Sequence, residues 1–562
     1  MEDIATSRLN ASSVSKVKLP SEAVDGHTLM VKSLKSLGVT HVYSISGTPI
    51  RETLGACVGV GIRPIGVHNQ QAGVMMAIAQ NYVAGRLSAV ALLSAGPAIT
   101  NAVTSVLVAR DNCWPVVVLG SRRPLSMKGM GAFQDLDAVP IFRSITKWSA
   151  LIESTSSVPA HLEEAFRIAV DGRCGPVYLD IPEDVLTGLV RSYELPRLRD
   201  PKPPFVDENA IFRSAEILYQ ARRPGMIIGK GIRWAEPFME LQRLAGEFGI
   251  PFITSPMGRG FLPDDHPLCC NAVRGIFQSQ ADVVLVVGAR LDWTFRFGSE
   301  FAPDVKIIQV DIHQPQIGVN IAPTVGITGD AKDVLARIVT HLEEKPARKE
   351  RLSPWHVMLA RARASKLRQW DDLMDGEAIP MSPYRMLKEV RQFLPREAVC
   401  ILDGNVFMAA AQQVVPSYLP LTRFTAGSNG CMGVGIPFAL GAKMARPEKL
   451  VVIICGDTAF GFNAMEMETA VRHRIPIIVV VVNNDGNGGS LQQKALYPPK
   501  YERVTMFQPN IRYEEIMRAF GGFGEFVERP EQVRPALERA VLCGVAACIN
   551  VKVDPDAPYP RD

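Results

Sequence analysis

Six consecutive apolar residues, Ile477-Ile478-Val479-Val480-Val481-Val482, leave a strand-length segment without a polar face. Such a strand must be covered on both sides, the condition of a parallel strand between two layers of helices. Comparable runs recur at Val39–Ile45, Ala89–Leu93, Pro115–Leu119, Gly225–Gly229, Val283–Val287, Lys306–Val310, Ala398–Leu402, Leu450–Cys455 and Ala547–Val553. Helix-length amphipathic segments lie between them, near Pro49–Val58 and from about Ala98. This alternation predicts an α/β chain of doubly wound parallel sheets. No run approaches the roughly 18 apolar residues of a membrane span.

A chain of 562 residues exceeds one ordinary domain. Two stretches read as links: 187–206, with Asp200-Pro201-Lys202-Pro203-Pro204, and the charged, turn-rich 343–354. They predict a tail over 1–22 and three α/β units over 23–186, 207–343 and 381–562, joined by linkers 187–206 and 344–380. The first and third units look like one architecture used twice. Lys and Arg number 61 against 57 Asp and Glu, a net charge of +4 that argues against nucleic acid or an anionic membrane as partner. The ten cysteines show no metal-ligand spacing and read as reduced thiols. Without a signal pattern at the N-terminus, the expected location is the cytoplasm.

Chemistry is concentrated in the third unit. The strand ending at Cys455 runs into Gly456-Asp457-Thr458-Ala459, and the strand ending at Val482 into Asn483-Asn484-Asp485-Gly486-Asn487. Each cluster alone is ordinary turn chemistry. Together, about 27 residues apart and each after a buried strand, they place a carboxylate and an amide at the edge where ligands bind in such sheets. Carboxylate, amide and carbonyl oxygens suit Mg²⁺ or Ca²⁺ shared with a diphosphate, and the glycines allow close approach of backbone to phosphate.

The pair resembles the signature of thiamin diphosphate enzymes, Gly-Asp-Gly followed by Asn-Asn. The resemblance implies Asp457, Asn484 and the Gly486 carbonyl as ligands of Mg²⁺, with Thr458 in place of a common glycine. It implies cofactor contacts from Gly456, Thr458, Ala459, Asn487 and Asn405. The upstream segment Gly427-Ser428-Asn429-Gly430-Cys431-Met432-Gly433 matches a second family element. There Met432 would wedge the cofactor into its bent form and the Gly430 carbonyl would accept the 4′-amino group. In such enzymes the three units are a pyrimidine-binding, a central and a diphosphate-binding domain. The site forms between subunits, so a homodimer or homotetramer is implied.

Asn112-Cys113-Trp114-Pro115, Gly131-Ala132-Phe133-Gln134 and Gly288-Ala289-Arg290-Leu291-Asp292-Trp293 resemble the 2-hydroxyacyl-CoA lyases and oxalyl-CoA decarboxylases. Gly96-Pro97-Ala98-Ile99-Thr100-Asn101 is shared with acetolactate synthases, with Ala98 where a glycine is usual. The branch implies cleavage of a 2-hydroxyacyl-CoA to formyl-CoA and an aldehyde or ketone. Gln134 would hydrogen-bond the substrate, with Gln492, Gln493 and His68 as further polar candidates. Arg290 and Asp311 are candidates for an ADP or CoA nucleotide in the central domain. The chain stops at a short Asp554-Pro555-Asp556-Ala557-Pro558-Tyr559 segment where the branch carries a basic tail over CoA, which leaves a CoA-independent carboligase or 2-oxoacid decarboxylase open.

One position departs from the family pattern. Where such enzymes place a glutamate against N1′ of the pyrimidine, this chain has Gln70, in His68-Asn69-Gln70-Gln71-Ala72-Gly73. An amide can hydrogen-bond a ring nitrogen but cannot exchange a proton with it near neutral pH. Three readings follow: an enzyme that works without the acid, as the relative glyoxylate carboligase does; an engineered change; or a silenced, cofactor-binding subunit.

Overall fold

The structure, a computed structural model, describes residues 23–198, 204–346, 349–404, 406–487, 501 and 504–557. Three sheets, parallel throughout, carry the fold. The first contains β1 (His41–Ser44), β2 (Arg63–Gly66), β3 (Ala89–Leu93), β4 (Val116–Arg122), β5 (Trp148–Leu151) and β6 (Pro176–Pro182). The second contains β7 (Pro224–Ile228), β8 (Phe252–Thr254), β9 (Val283–Val287), β10 (Lys306–Asp311) and β11 (Val325–Thr328). The third contains β12 (Val399–Asp403), β13 (Arg423–Phe424), β14 (Val451–Gly456), β15 (Ile478–Asn483), β16 (Phe523–Val527) and β17 (Ala547–Lys552).

Their spatial orders are β2-β1-β3-β4-β6-β5, β8-β7-β9-β10-β11 and β13-β12-β14-β15-β17-β16. The first and third orders are the same when each is counted from its own first strand, so one architecture is indeed used twice. Strand β15 is buried along its whole length, as its apolar run requires. Each sheet separates two apolar clusters, the layering of a doubly wound fold. All ten cysteines are free thiols.

One of these clusters is shared. Residues from Tyr43 to Tyr178 of the first unit and from Val399 to Cys548 of the third form one continuous core. Its centre is the contact of α1 (Gln70–Ala84) with a later helix, Gly435–Ala445. Both are apolar on nearly every side and rich in Ala and Gly, which suits helices buried all round. Asn69 caps α1, its side chain accepting from the Gln71 N–H at 2.9 Å, and Gly85 ends it at φ 72°.

The stretch read as a turn-rich link contains instead a 26-residue helix, α2 (Lys349–Met374). Its charges mark a solvated face. The opposite face buries Leu352, Trp355 and Leu359 toward the second unit and Trp370 and Met374 toward the third. Trp355 Nε1 also donates to the Pro224 carbonyl at 2.9 Å. The segment therefore staples two sheets together. Among the described residues no helix is long and apolar enough to cross a membrane.

Candidate active site

Strands β14 and β15 are neighbours, with Gly456 opposite Val482, so the residues just beyond them meet. Asp457 opens the short helix Asp457–Asn463 and is 2% exposed. Its Oδ1 accepts from the Thr458 N–H at 2.6 Å and its Oδ2 from the Gly486 N–H at 3.0 Å. Burial nevertheless pushes this carboxyl up to about 6. Asn483 is turned inward and holds the Ile511 carbonyl at 3.1 Å. Asn484 is the outward member of the pair. Its amide oxygen is directed at Asp457 Oδ2 and the Gly486 carbonyl, which lie 3.3 and 3.0 Å from the amide group; turned over, its NH₂ would donate to both.

The Asp457 carboxylate, the Gly486 carbonyl and the Asn484 side-chain amide thus converge, and with the amide oxygen facing inward all three are hard oxygen donors of the kind a divalent cation takes. Among the described residues no three His, Cys, Asp or Glu side chains gather as a metal site, so this mixed-oxygen set is the candidate. It fits Mg²⁺ with a diphosphate. Gly486 is pressed against the Thr505 carbonyl, where a Cβ would lie 2.5 Å from the oxygen, and the Asn487 N–H donates to that same carbonyl at 2.7 Å.

The Gly430–Gly435 loop is held from below by Asp403, a buried carboxylate at the end of β12 that belongs to neither sequence motif. It accepts from the N–H groups of Gly433 at 3.2 Å and Gly435 at 2.7 Å. Burial pushes it up to about 6 in spite of these donors. Asn463 donates to the Gly433 carbonyl at 2.6 Å. Gly430 has a positive φ of 69° and open space where a Cβ would be, and Met432 is half-buried at the rim of the shared core. The backbone at Gly430 is exposed, and the apolar Met432 side chain follows two residues on. The signal for Asp403 was present: Leu402-Asp403-Gly404 follows an apolar run just as Gly456-Asp457 does.

In the first unit, Gln70 is the first residue of α1 and half-buried, and its Oε1 accepts from Asn101 Nδ2 at 3.1 Å. Gln134 has a positive φ of 59° and packs on Gly96, where a Cβ would lie 2.9 Å from its own. Gly96 and Asn101 flank the one-turn helix Pro97–Thr100, so Gln70 and Gln134 border the same element. His68 Nε2 contacts Glu468 of the third unit at 2.7 Å. Among the described residues no hydrogen bond or ion pair joins Gln70 or Gln134 to Asp457, Asn484 or Gly486. Asn405, Gln492 and Gln493 lie outside the described residues.

Arg290 and Asp311 come together in the wall of a separate cavity of about 670 Å³ between the first and second units, with Cys113, Arg173 and Lys230. Arg290 donates to the Asp111 carbonyl and approaches Cys113 Sγ at 3.4 Å. Asp311 accepts from the His313 N–H at 2.9 Å, and burial holds its carboxyl above the usual range. Burial also pushes Lys230 down to about 8.

The chain matches three family profiles in order: the N-terminal TPP binding domain of thiamine pyrophosphate enzymes over 24–141, the central domain over 211–338 and the C-terminal TPP binding domain over 404–551. It is 33% identical to human 2-hydroxyacyl-CoA lyase 1, across 95% of this chain and 96% of that protein. It is also 33% identical to an acetolactate synthase large subunit of Mycobacterium tuberculosis, across 96% and 98%. With oxalyl-CoA decarboxylase of Escherichia coli the identity is 27%, across 95% and 96%.

Proposed function

Because the chain belongs to the thiamine pyrophosphate enzyme family, we propose that it is a lyase that cleaves, or in reverse forms, a 2-hydroxyacyl-CoA, with formyl-CoA and an aldehyde or ketone as the other partners. The observation that carries the reading is the convergence of Asp457, Asn484 and the Gly486 carbonyl beyond two adjacent strands.

When bound, thiamin diphosphate supplies a thiazolium carbon that adds to a carbonyl and accommodates the electron pair released by C–C cleavage. The chain's own contributions follow from its chemistry. Asp457, Asn484 and Gly486 hold Mg²⁺ and through it the diphosphate. Gly456, Thr458, Ala459 and Asn487 line that end, with Asn405, outside the described residues, assigned there by the family resemblance alone, while Gly430 and Met432 fix the other. Gln70 offers a hydrogen bond to the pyrimidine without a transferable proton. Gln134 orients the substrate oxygen, a role for which Gln493, outside the described residues, is a further candidate by sequence alone. In this reading a second copy completes each site, as a homodimer or homotetramer, in keeping with the lack of any hydrogen bond between Gln70 or Gln134 and Asp457, Asn484 or Gly486 among the described residues. Arg290 and Asp311 hold the nucleotide part of ADP or CoA. The cytoplasm is the location that goes with this reading.

Purified chain, supplied with thiamin diphosphate and Mg²⁺, should release formyl-CoA from 2-hydroxyacyl-CoAs. A second reading, a carboligase or 2-oxoacid decarboxylase without CoA, is favoured by the equal identity to an acetolactate synthase. Acyloin formation from 2-oxoacids with no formyl-CoA release would select it. Cofactor binding without turnover of either class would select the silenced subunit.

A further inference from the structure

The carboxylate of Glu466 crosses from the third unit to the loop that leads into α1. It is 1% exposed. Its Oε1 accepts from the backbone N–H groups of His68 and Asn69, both at 2.9 Å, and its Oε2 accepts from Thr469 Oγ1 at 2.7 Å. A buried carboxylate is tolerated only when its oxygens are satisfied, and here two of three donors come from a segment about 400 residues away.

The position of that segment matters more than its identity. His68 and Asn69 stand between β2 and α1, Asn69 caps α1 with its side chain, and the next residue is Gln70. Fixing the two N–H groups from the third unit, while the cap fixes the first turn, leaves the start of α1 little freedom. Around this buried clasp lies an exposed one: His68 with Glu468 at 2.7 Å, Arg472 with the Gly66 carbonyl at 3.0 Å, and Arg63 with the His473 carbonyl at 3.0 Å. Exposed contacts of that kind contribute little singly.

We propose that Glu466 is a positioning residue, which holds the N-terminus of α1 so that Gln70 stands in register with the cofactor. This rests on the reading of Gln70 as the pyrimidine partner. A displacement on the order of 1 Å at such a contact costs about a hundredfold in rate.

The clasp itself is read without cofactor, by amide hydrogen exchange of the full chain. In Glu466→Ala the peptide holding His68 and Asn69 should exchange at least about tenfold faster, while peptides of the second unit keep their wild-type rates. Glu466→Gln keeps Oε1 as acceptor of both N–H groups, and its NH₂ can donate to Thr469, so exchange there should return close to wild type. With thiamin diphosphate and Mg²⁺ bound, kcat for formyl-CoA release should fall about 10- to 100-fold in Glu466→Ala, with KM within about threefold, and recover in Glu466→Gln. If Glu466→Ala does not fold, Glu466→Asp, which withdraws the carboxylate by one methylene, carries the same test. Unchanged exchange at His68 and Asn69, or a kcat equal to wild type, overturns the proposal. Calorimetry of wild-type chain with thiamin diphosphate separates the two levels: absent binding there defeats the functional reading, whereas normal binding with an unaltered Glu466→Ala defeats this inference alone.

Discussion

Asn101 donates its side-chain amide to Oε1 of Gln70 at 3.1 Å, so the first residue of α1 is held by a donor that a carboxylate would satisfy equally well. Gln70→Glu should therefore fold with little change in melting temperature. It would add what the amide lacks, a proton that can be exchanged with a ring nitrogen. General acid–base assistance contributes roughly 10²–10⁴-fold. Hydrogen–deuterium exchange at C2 of bound thiamin diphosphate, quenched in acid and read by NMR, should accelerate by about that factor. An exchange rate no faster than wild type would show that Gln70 does not face the pyrimidine.

The metal assignment predicts a separable loss. Asp457→Asn keeps the shape and an acceptor for one of the two N–H groups, Thr458 or Gly486, that the separate carboxylate oxygens serve, but removes the charge that answers a divalent cation. Calorimetric titration should show thiamin diphosphate affinity in the presence of Mg²⁺ reduced at least about 100-fold, with the melting temperature of the cofactor-free chain near wild type. Wild-type affinity in the variant would remove Asp457 from the metal site.

What the sequence made legible follows from where each signal sits. The sheets were readable because parallel strands buried on both faces must be written as apolar runs, and Asp457 and Asn484 because a polar residue ending such a run is conspicuous. Glu466 was not readable. It lies in an amphipathic helix, its donors are backbone N–H groups with no residue-type signature, and its partners are far away in the chain. The helix Lys349–Met374 was missed for another reason: Pro354 and dense charge look like a turn, whereas the buried stripe of Leu352, Trp355, Leu359 and Trp370 shows only over several turns. Gln493 and Asn405 fall outside the described residues.

The contact between the first and third units can be probed at a single hydrogen atom. A Cβ on Gly441 would lie 2.2 Å from the Met76 carbonyl oxygen, a backbone atom that cannot swing aside. Gly441→Ala gains roughly 1 kcal/mol of helix propensity, yet overpacking against the facing backbone costs about 1–3 kcal/mol. The variant should melt several degrees below wild type and bind thiamin diphosphate less tightly, because α1 carries Gln70. A rise in melting temperature would mean that the two helices are not in backbone contact.

The central cavity predicts a ligand independent of the coenzyme. Arg173, Lys230 and Arg290 line its wall beside Asp171, Asp311 and Asp330, and the guanidinium and ammonium groups suit the phosphates of a nucleotide. ADP and CoA should each bind the chain in calorimetry, and Arg290→Ala should weaken both at least about tenfold while leaving thiamin diphosphate affinity unchanged. Equal nucleotide affinity in the variant would exclude Arg290 as a contact.

Asp403 makes the Gly430–Gly435 loop sensitive to pH. Its carboxyl is pushed by burial from the ordinary 3.8 up to about 6, so the folded chain holds this proton more tightly than the unfolded one. The associated stability is complete below about pH 4 and is lost as pH rises through about 6. The shift corresponds to something on the order of 3 kcal/mol. Asp403→Asn is neutral throughout and lacks this dependence, although one of its amide hydrogens must face the Gly433 or Gly435 N–H. The melting temperature of wild type minus that of Asp403→Asn should therefore be larger at pH 4.5 than at pH 7.5. A difference that stays constant, or grows with pH, would mean that the buried carboxyl is ionised in the fold across that range.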